Sequence, residues 1–131
     1  MYLFLLNILC YDLWFYCFHR LLHTKQLFKY HKKHHENREP EWYDTYYASL
    51  LENIISPLGI YIPMIYYNVF DLECILSMVF ANTRGLIRHE TRLTHIFGDH
   101  HIIHHKHYNC NYGEAWIDYL MGTLYKEKKE L

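Results

Sequence analysis

His31-Lys32-Lys33-His34-His35 and His101-Ile102-Ile103-His104-His105 carry one spacing, H-x2-H-H, at two distant places in the chain. Upstream stands a third group, His19-Arg20-Leu21-Leu22-His23, with spacing H-x3-H. On a helix, positions i, i+3 and i+4 share a face, so each group can turn its imidazoles toward one region. The adjacent pair in each H-x2-H-H group can diverge toward two metals, which suits a binuclear centre. Each group alone has a bland reading: a chance helical pair for the first, a solvated basic patch with Lys32 and Lys33 for the second. The isoleucines between His101 and His104 argue against a flexible histidine-rich tail. Repetition of one spacing is what chance does not supply. Neutral imidazole is the commonest protein metal ligand, and 12 of the 131 residues are histidine, against 13 Lys and Arg together.

Each group adjoins an apolar segment. Residues 1–18 are apolar except for Asn7 and Asp12. A helix over 2–23 would be about 33 Å long, roughly the thickness of a hydrocarbon core. A secretory signal peptide fits poorly, because there is no basic n-region and no small-residue cleavage site. A second apolar stretch covers 50–81, with turn signals at Asn68 and Asp71 and interruptions at Pro57, Gly59 and Pro63. It predicts a transmembrane or re-entrant hairpin with arms over 50–67 and 72–88. No Lys or Arg occurs from 39 through 83. Both basic regions then face one compartment, the cytosol by the positive-inside rule, with Lys32 and Lys128 on the same side. The competing reading is a soluble helical core with a long buried hairpin. Trp116, Leu120 and Leu124 recur every four residues before Lys126, Lys128 and Lys129. They predict a short amphipathic helix, at the membrane surface or packed on the domain. The fold expected is all-α: a single domain over 1–131, a membrane-embedded helical bundle with a cytosolic, histidine-lined metal site.

Absences narrow the chemistry. A net charge of −1 gives no electrostatic footprint for nucleic acid. There is no His-Glu-x-x-His of a zincin and no Glu-x-x-His of a carboxylate-bridged di-iron bundle. Cys10, Cys17, Cys74 and Cys110 form no Cys-x-x-Cys pair and read as reduced packing residues. Haem needs only two facing histidines and leaves most of these unexplained. Eight or nine nitrogen ligands exceed one tetrahedral zinc, so two metals sharing them is the economical solution. Imidazole suits iron, zinc and copper alike. His89, at the end of the hairpin's second arm, re-emerges beside the clusters and joins the candidates. His95, His100 and His107 stay ambiguous, as groups that could support the ligands from behind.

The chain resembles the membrane-bound fatty acid hydroxylase superfamily, which includes sterol desaturases and C-4 methyl sterol oxidases. The resemblance rests on His19…His23, His31…His35 and the block His100-His101-Ile102-Ile103-His104-His105, Asn111-Tyr112-Gly113, Trp116-Ile117-Asp118 and Gly122-Thr123. It covers about residues 11 to 125. It implies an endoplasmic-reticulum-type integral membrane enzyme with two iron ions (or zinc in a structure) on the cytosolic side. O2 would be co-substrate, a sterol or fatty acyl lipid the substrate, and cytochrome b5 with its NAD(P)H reductase the electron donor. The product would be a hydroxylated or desaturated lipid. The ligands carried over are His19, His23, His31, His34, His35, His89, His101, His104 and His105. Asn111-Tyr112-Gly113 resembles the family's structural turn, and Asp118 and Gly122 its closing region. Family members usually carry a further N-terminal hairpin, so the chain reads as shortened there. Ser49-Leu50 stands where many sterol-active relatives carry His-Pro, and Glu90-Thr91-Arg92 replaces the family's usual continuation after His89. These departures leave a second reading, a catalytically inactive or truncated metal-binding membrane protein of the same fold.

Overall fold

The computed structural model describes residues 1–127 and contains helices and turns, with no strand among the described residues. Lys128 and Lys129 lie outside the described residues, and with them the expectation that Lys128 lies on the same side as Lys32.

The first helix, α1 (Tyr2–Leu22), carries no Gly or Pro and closes on His19 and Arg20. The Arg20 guanidinium suits the negative end of the helix dipole. It is long and apolar enough to cross a membrane. Its sidedness is inverted relative to a soluble helix. Asn7, Asp12, Tyr16 and His19 are buried, while Leu5, Leu9, Leu13 and Leu21 are exposed.

The two predicted helical arms and the turn between them are present, and the interruptions of the first arm are resolved. The first arm is α3 (Leu50–Ile55), a 3-10 segment (Ser56–Tyr61) and α4 (Ile62–Tyr67). Pro57 and Pro63 each sit in a first turn, where the missing N–H costs nothing. Asn68 closes the arm in the left-handed region at φ 51°. The second arm, α5 (Leu72–Arg88), starts on Asp71, whose side chain accepts from the Cys74 N–H at 3.1 Å.

Packing of α1 on the hairpin is close and partly polar. A Cβ on Gly59 would lie 2.9 Å from the Cys10 carbonyl oxygen and against the Trp14 side chain, so only glycine lets the backbones approach there. Trp14 Nε1 donates to the Ile55 carbonyl at 2.8 Å. Asn7 donates to Ser77 Oγ at 3.1 Å, a bond well placed to join helices in an apolar setting. Arg84 of α5 pairs with Asp12 and lies 3.1 Å from Glu114, which also pairs with Arg88.

Short elements complete the histidine end: α2 (Phe28–His31), 3-10 turns over His34–Glu36, Trp42–Tyr46 and Thr91–Leu93, then α6 (Thr94–Phe97) and α7 (His100–His107). The last helix, α8 (Ala115–Leu120), differs from the sequence expectation. It stops before Leu124, and Trp116 and Leu120 face outward while Ile117 and Asp118 are buried. The inward face is therefore set by the Asp118 hydrogen bonds, which a spacing of apolar residues does not register.

Candidate metal centre

Nine histidines converge from four parts of the chain. Donor atoms of His19, His23, His31, His35 and His104 lie within 4.8 Å of one another, and those of His34, His89, His101 and His105 form a second such set. The sets adjoin: the His35 and His105 rings are 4.7 Å apart between centroids.

Each H-x2-H-H group is divided between the sets. His31 and His35 enter the first and His34 the second; His101 and His105 enter the second and His104 the first. Helical geometry accounts for this. Residues four apart project about 40° from each other, and a residue three on projects about 60° to the opposite side. The i, i+4 pair shares one set and the middle histidine turns to the other. Lys32 and Lys33 hold helical dihedrals, which keeps that geometry across His31–His35.

The outer nitrogens are committed. Nδ1–H of His19 donates to the Tyr112 carbonyl at 2.6 Å, His31 to Glu52 Oε1 at 2.7 Å, and His104 to the Cys110 carbonyl at 2.7 Å. His89 donates to the Gly85 carbonyl at 2.9 Å and His105 to the Asn37 carbonyl at 3.1 Å. A neutral imidazole has a single N–H, so the Nε2 atoms of these five rings are bare lone pairs. Two of them, on His19 and His31, face each other at 2.9 Å. His105 Nε2 is buried with no hydrogen-bond partner. Lone pairs opposed at this distance and shielded from water repel unless a cation lies between them.

The spacings fit such a cation. Nitrogen ligands at about 2.1 Å set at right angles would be about 3.0 Å apart. The observed Nε2 separations are 2.9 Å for His31–His35, 3.1 Å for His35–His104, and 3.1 Å for both His34–His89 and His89–His101. Protonation is disfavoured throughout. Burial holds His34, His101 and His104 well below the usual 6.5, His89 at about 4 and His105 at about 3. The rings are therefore neutral, ligand-competent bases at physiological pH.

Access differs between the sets. A cavity of about 450 Å³ lies between α1 and the hairpin. Its walls include Phe15, Ile60, Met78 and Ala81, and it reaches His34, His89 and His101 of the second set and His19 of the first. His23 and His35 of the first set border a shallower opening with Lys25, Lys32 and Tyr108.

The profile of the fatty acid hydroxylase family matches residues 4–123. The chain belongs to the fatty acid hydroxylase family. Methylsterol monooxygenase 1 of Rattus norvegicus is 33% identical over 86% of the chain and 43% of that protein. The Gallus gallus protein of the same name is 32% identical over 91% and 46%, and that of Danio rerio 31% over 86% and 43%. The chain thus spans less than half the length of these relatives. No solved structure matches.

Within this fatty acid hydroxylase domain, the three ambiguous histidines fall outside both sets. His100 bonds Asp118 at 3.0 Å, exposed His107 stacks on Tyr125, and His95 is exposed on α6. Asp118 explains the Asn111-Tyr112-Gly113 turn. Fully buried, it accepts from the Tyr112 and Gly113 N–H groups at 2.9 Å each and from Thr123 Oγ1 at 2.7 Å. Asn111 sits at φ 55°, tolerable for asparagine. The turn so fixed presents the Cys110 and Tyr112 carbonyls that orient His104 and His19. Glu52 was missed by the sequence reading. Its local signal, Ser49 three residues ahead, marks a helix start, and Ser49 Oγ does accept the Glu52 N–H at 3.2 Å. Nothing in that pattern points 21 residues back to His31.

Proposed function

We propose that the chain is a membrane-bound, O2-dependent lipid hydroxylase or desaturase whose nine converging histidines hold two iron ions. The observation that carries this is the set of opposed, buried imidazole lone pairs, an arrangement stable only around cations. Two irons would supply the redox chemistry with O2 that attack on an unactivated C–H bond requires. The chain's own residues do the rest. Backbone carbonyls and Glu52 fix the imidazole tautomers and aim Nε2 inward, as supporting groups do at metal sites. Phe15, Ile60 and Met78 exclude water and receive an apolar chain or ring system beside His34, His89 and His101. The names of the relatives favour a sterol as substrate class.

Hydroxylation consumes O2, two electrons and two protons, and releases water with the alcohol. Electrons must therefore come from a soluble donor, such as cytochrome b5 served by an NAD(P)H reductase. The outward leucines of α1 and the outward Ile65, Tyr66, Leu72 and Val79 of the hairpin support lipid contact. The histidine end, with Lys25, Lys29, Lys32 and Lys33, then lies on the cytosolic side of an endoplasmic-reticulum-type membrane. The test is the full chain purified in detergent. Near two irons per chain, with oxidised product from a 4-methylsterol given O2 and a reducing system, is the expected result. A chain that retains no metal would overturn the proposal.

A further inference from the structure

The apolar cavity reaches the surface between the two arms of the hairpin. Of its lining residues, Tyr46, Asn53, Val79 and Asn82 are exposed, and these mark its mouth. Asn53 lies on α3 and Asn82 on α5, so they stand on opposite rims. Tyr46, at the tip of the Trp42–Tyr46 turn, bonds to both. Its carbonyl accepts from Asn53 Nδ2 at 3.1 Å, and its hydroxyl donates to Asn82 Oδ1. The turn is held unevenly. Its base is fixed by Asp44 Oδ2, which accepts from the Glu41 N–H at 3.0 Å and from Asn37 Nδ2 at 2.9 Å. Its tip is held by the two Tyr46 bonds, both exposed, and by Thr45 Oγ1, which reaches the Gly85 carbonyl only at 3.5 Å. An exposed hydrogen bond contributes little net, because water replaces it when it opens. The tip can therefore swing away while the base stays. Leu50, Leu51, Ile54 and Phe80, beside these rims on α3 and α5, are exposed, so the surroundings of the mouth are apolar.

We propose that Tyr46 is a strap across the cavity mouth, whose hydroxyl bond to Asn82 opens to let an apolar ligand pass and closes behind it. The bond joins two groups of the protein and involves no atom of the ligand. It therefore slows entry and exit alike and leaves affinity as it was, since a ligand with no preference between the open and the shut mouth shifts nothing. What the strap provides is commitment. A lipid beside His34, His89 and His101 is held longer, and water is kept from it, as closing loops do at other sites. This assignment rests on the lipid-oxidising reading above and adds to it a control of access to the same cavity.

Rates of binding, measured without turnover, test it. The full chain, loaded with zinc in detergent, is mixed with the fluorescent sterol dehydroergosterol. Entry is followed by energy transfer from tryptophan, and exit by a chase with non-fluorescent sterol. Tyr46→Phe loses the hydroxyl and keeps the ring. It should raise both rates about two- to tenfold, the effect of one exposed hydrogen bond, and leave their ratio unchanged. Asn82→Ala should do the same. The double variant should do no more than either, because all three lack the same bond. Tyr47→Phe removes another exposed phenol hydroxyl, bonded to Glu36 outside the lining of this cavity, and should keep both wild-type rates. Wild-type rates in Tyr46→Phe overturn the strap, as does a changed affinity with unchanged entry. Additive effects of Tyr46→Phe and Asn82→Ala overturn the pairing. Each of these outcomes leaves the lipid-oxidising reading standing. A zinc-loaded wild type that admits no sterol removes both.

Discussion

The two donor sets are built from the same parts in different proportion. The first has five histidines, His19 on α1 and His23 at its C-cap among them, and borders a lysine-lined opening. The second has four, none on α1, three of which line the cavity that only His19 of the first set reaches. The first thus has a ligand in reserve beside the solvent, while the second has none and meets the substrate space.

Loss of a ligand should have the largest effect and should be unequal. His34→Ala cuts the smaller set to three donors and should lower metal content from two to one or fewer per chain by elemental analysis. His104→Ala leaves four donors in its set and should lose less. Equal losses would erase the distinction between the sets. Gly59→Ala should come next. The added methyl pushes α1 off the hairpin at a cost of about 1–3 kcal/mol, typical of overpacking. Because α1 carries ligands of the first set alone, a thermal melt should shift downward and chelator competition should release the first metal preferentially.

Asp118→Asn weakens the support of the turn that orients His19 and His104, both in the first set. An affinity loss of about 10- to 100-fold at one metal is expected, with the other unmoved; biphasic chelation would show it. Acid acts on both sets. A buried histidine whose folded value lies below 6.5 takes up a proton on unfolding, so stability of the metal-free chain rises with pH across that interval. It is complete above about 6.5 and erodes as pH falls toward the values near 4 for His89 and near 3 for His105. Denaturant midpoints measured between pH 7 and pH 4 should fall accordingly. The smallest effect belongs to His107→Ala, which should leave metal content unchanged.

Much of this was legible because periodicity carries it. The H-x2-H-H spacing placed three imidazoles on adjoining helical faces, and Asn68-Val69-Phe70-Asp71 between apolar arms placed the hairpin turn. The division of each cluster between two sets also follows from helical angles. What escaped was set by long-range partners. Glu52 reaches His31, and Asp118 reaches back to a turn whose carbonyls meet His19, 93 residues from Tyr112. A carbonyl oxygen is common to every residue type, so its role leaves no mark in the sequence. The spacing of Trp116, Leu120 and Leu124 placed a short helix whose apolar residues Trp116 and Leu120 face outward, but it overran the helix end at Leu120 and gave no sign of the buried carboxylate that sets the inward face of α8.

Asp12, in the middle of α1, has a consequence for how the protein is made. Its partner Arg84 lies 72 residues further along the chain. At about 5–20 residues per second, ribosomal synthesis delivers that arginine about 4–14 s after the aspartate. In a bilayer, α1 would spend that interval with a carboxylate and the Asn7 amide facing hydrocarbon. On the membrane-bound reading proposed above, the first helix would need shelter in the insertion machinery until α5 emerges, and the two would leave it as a pair.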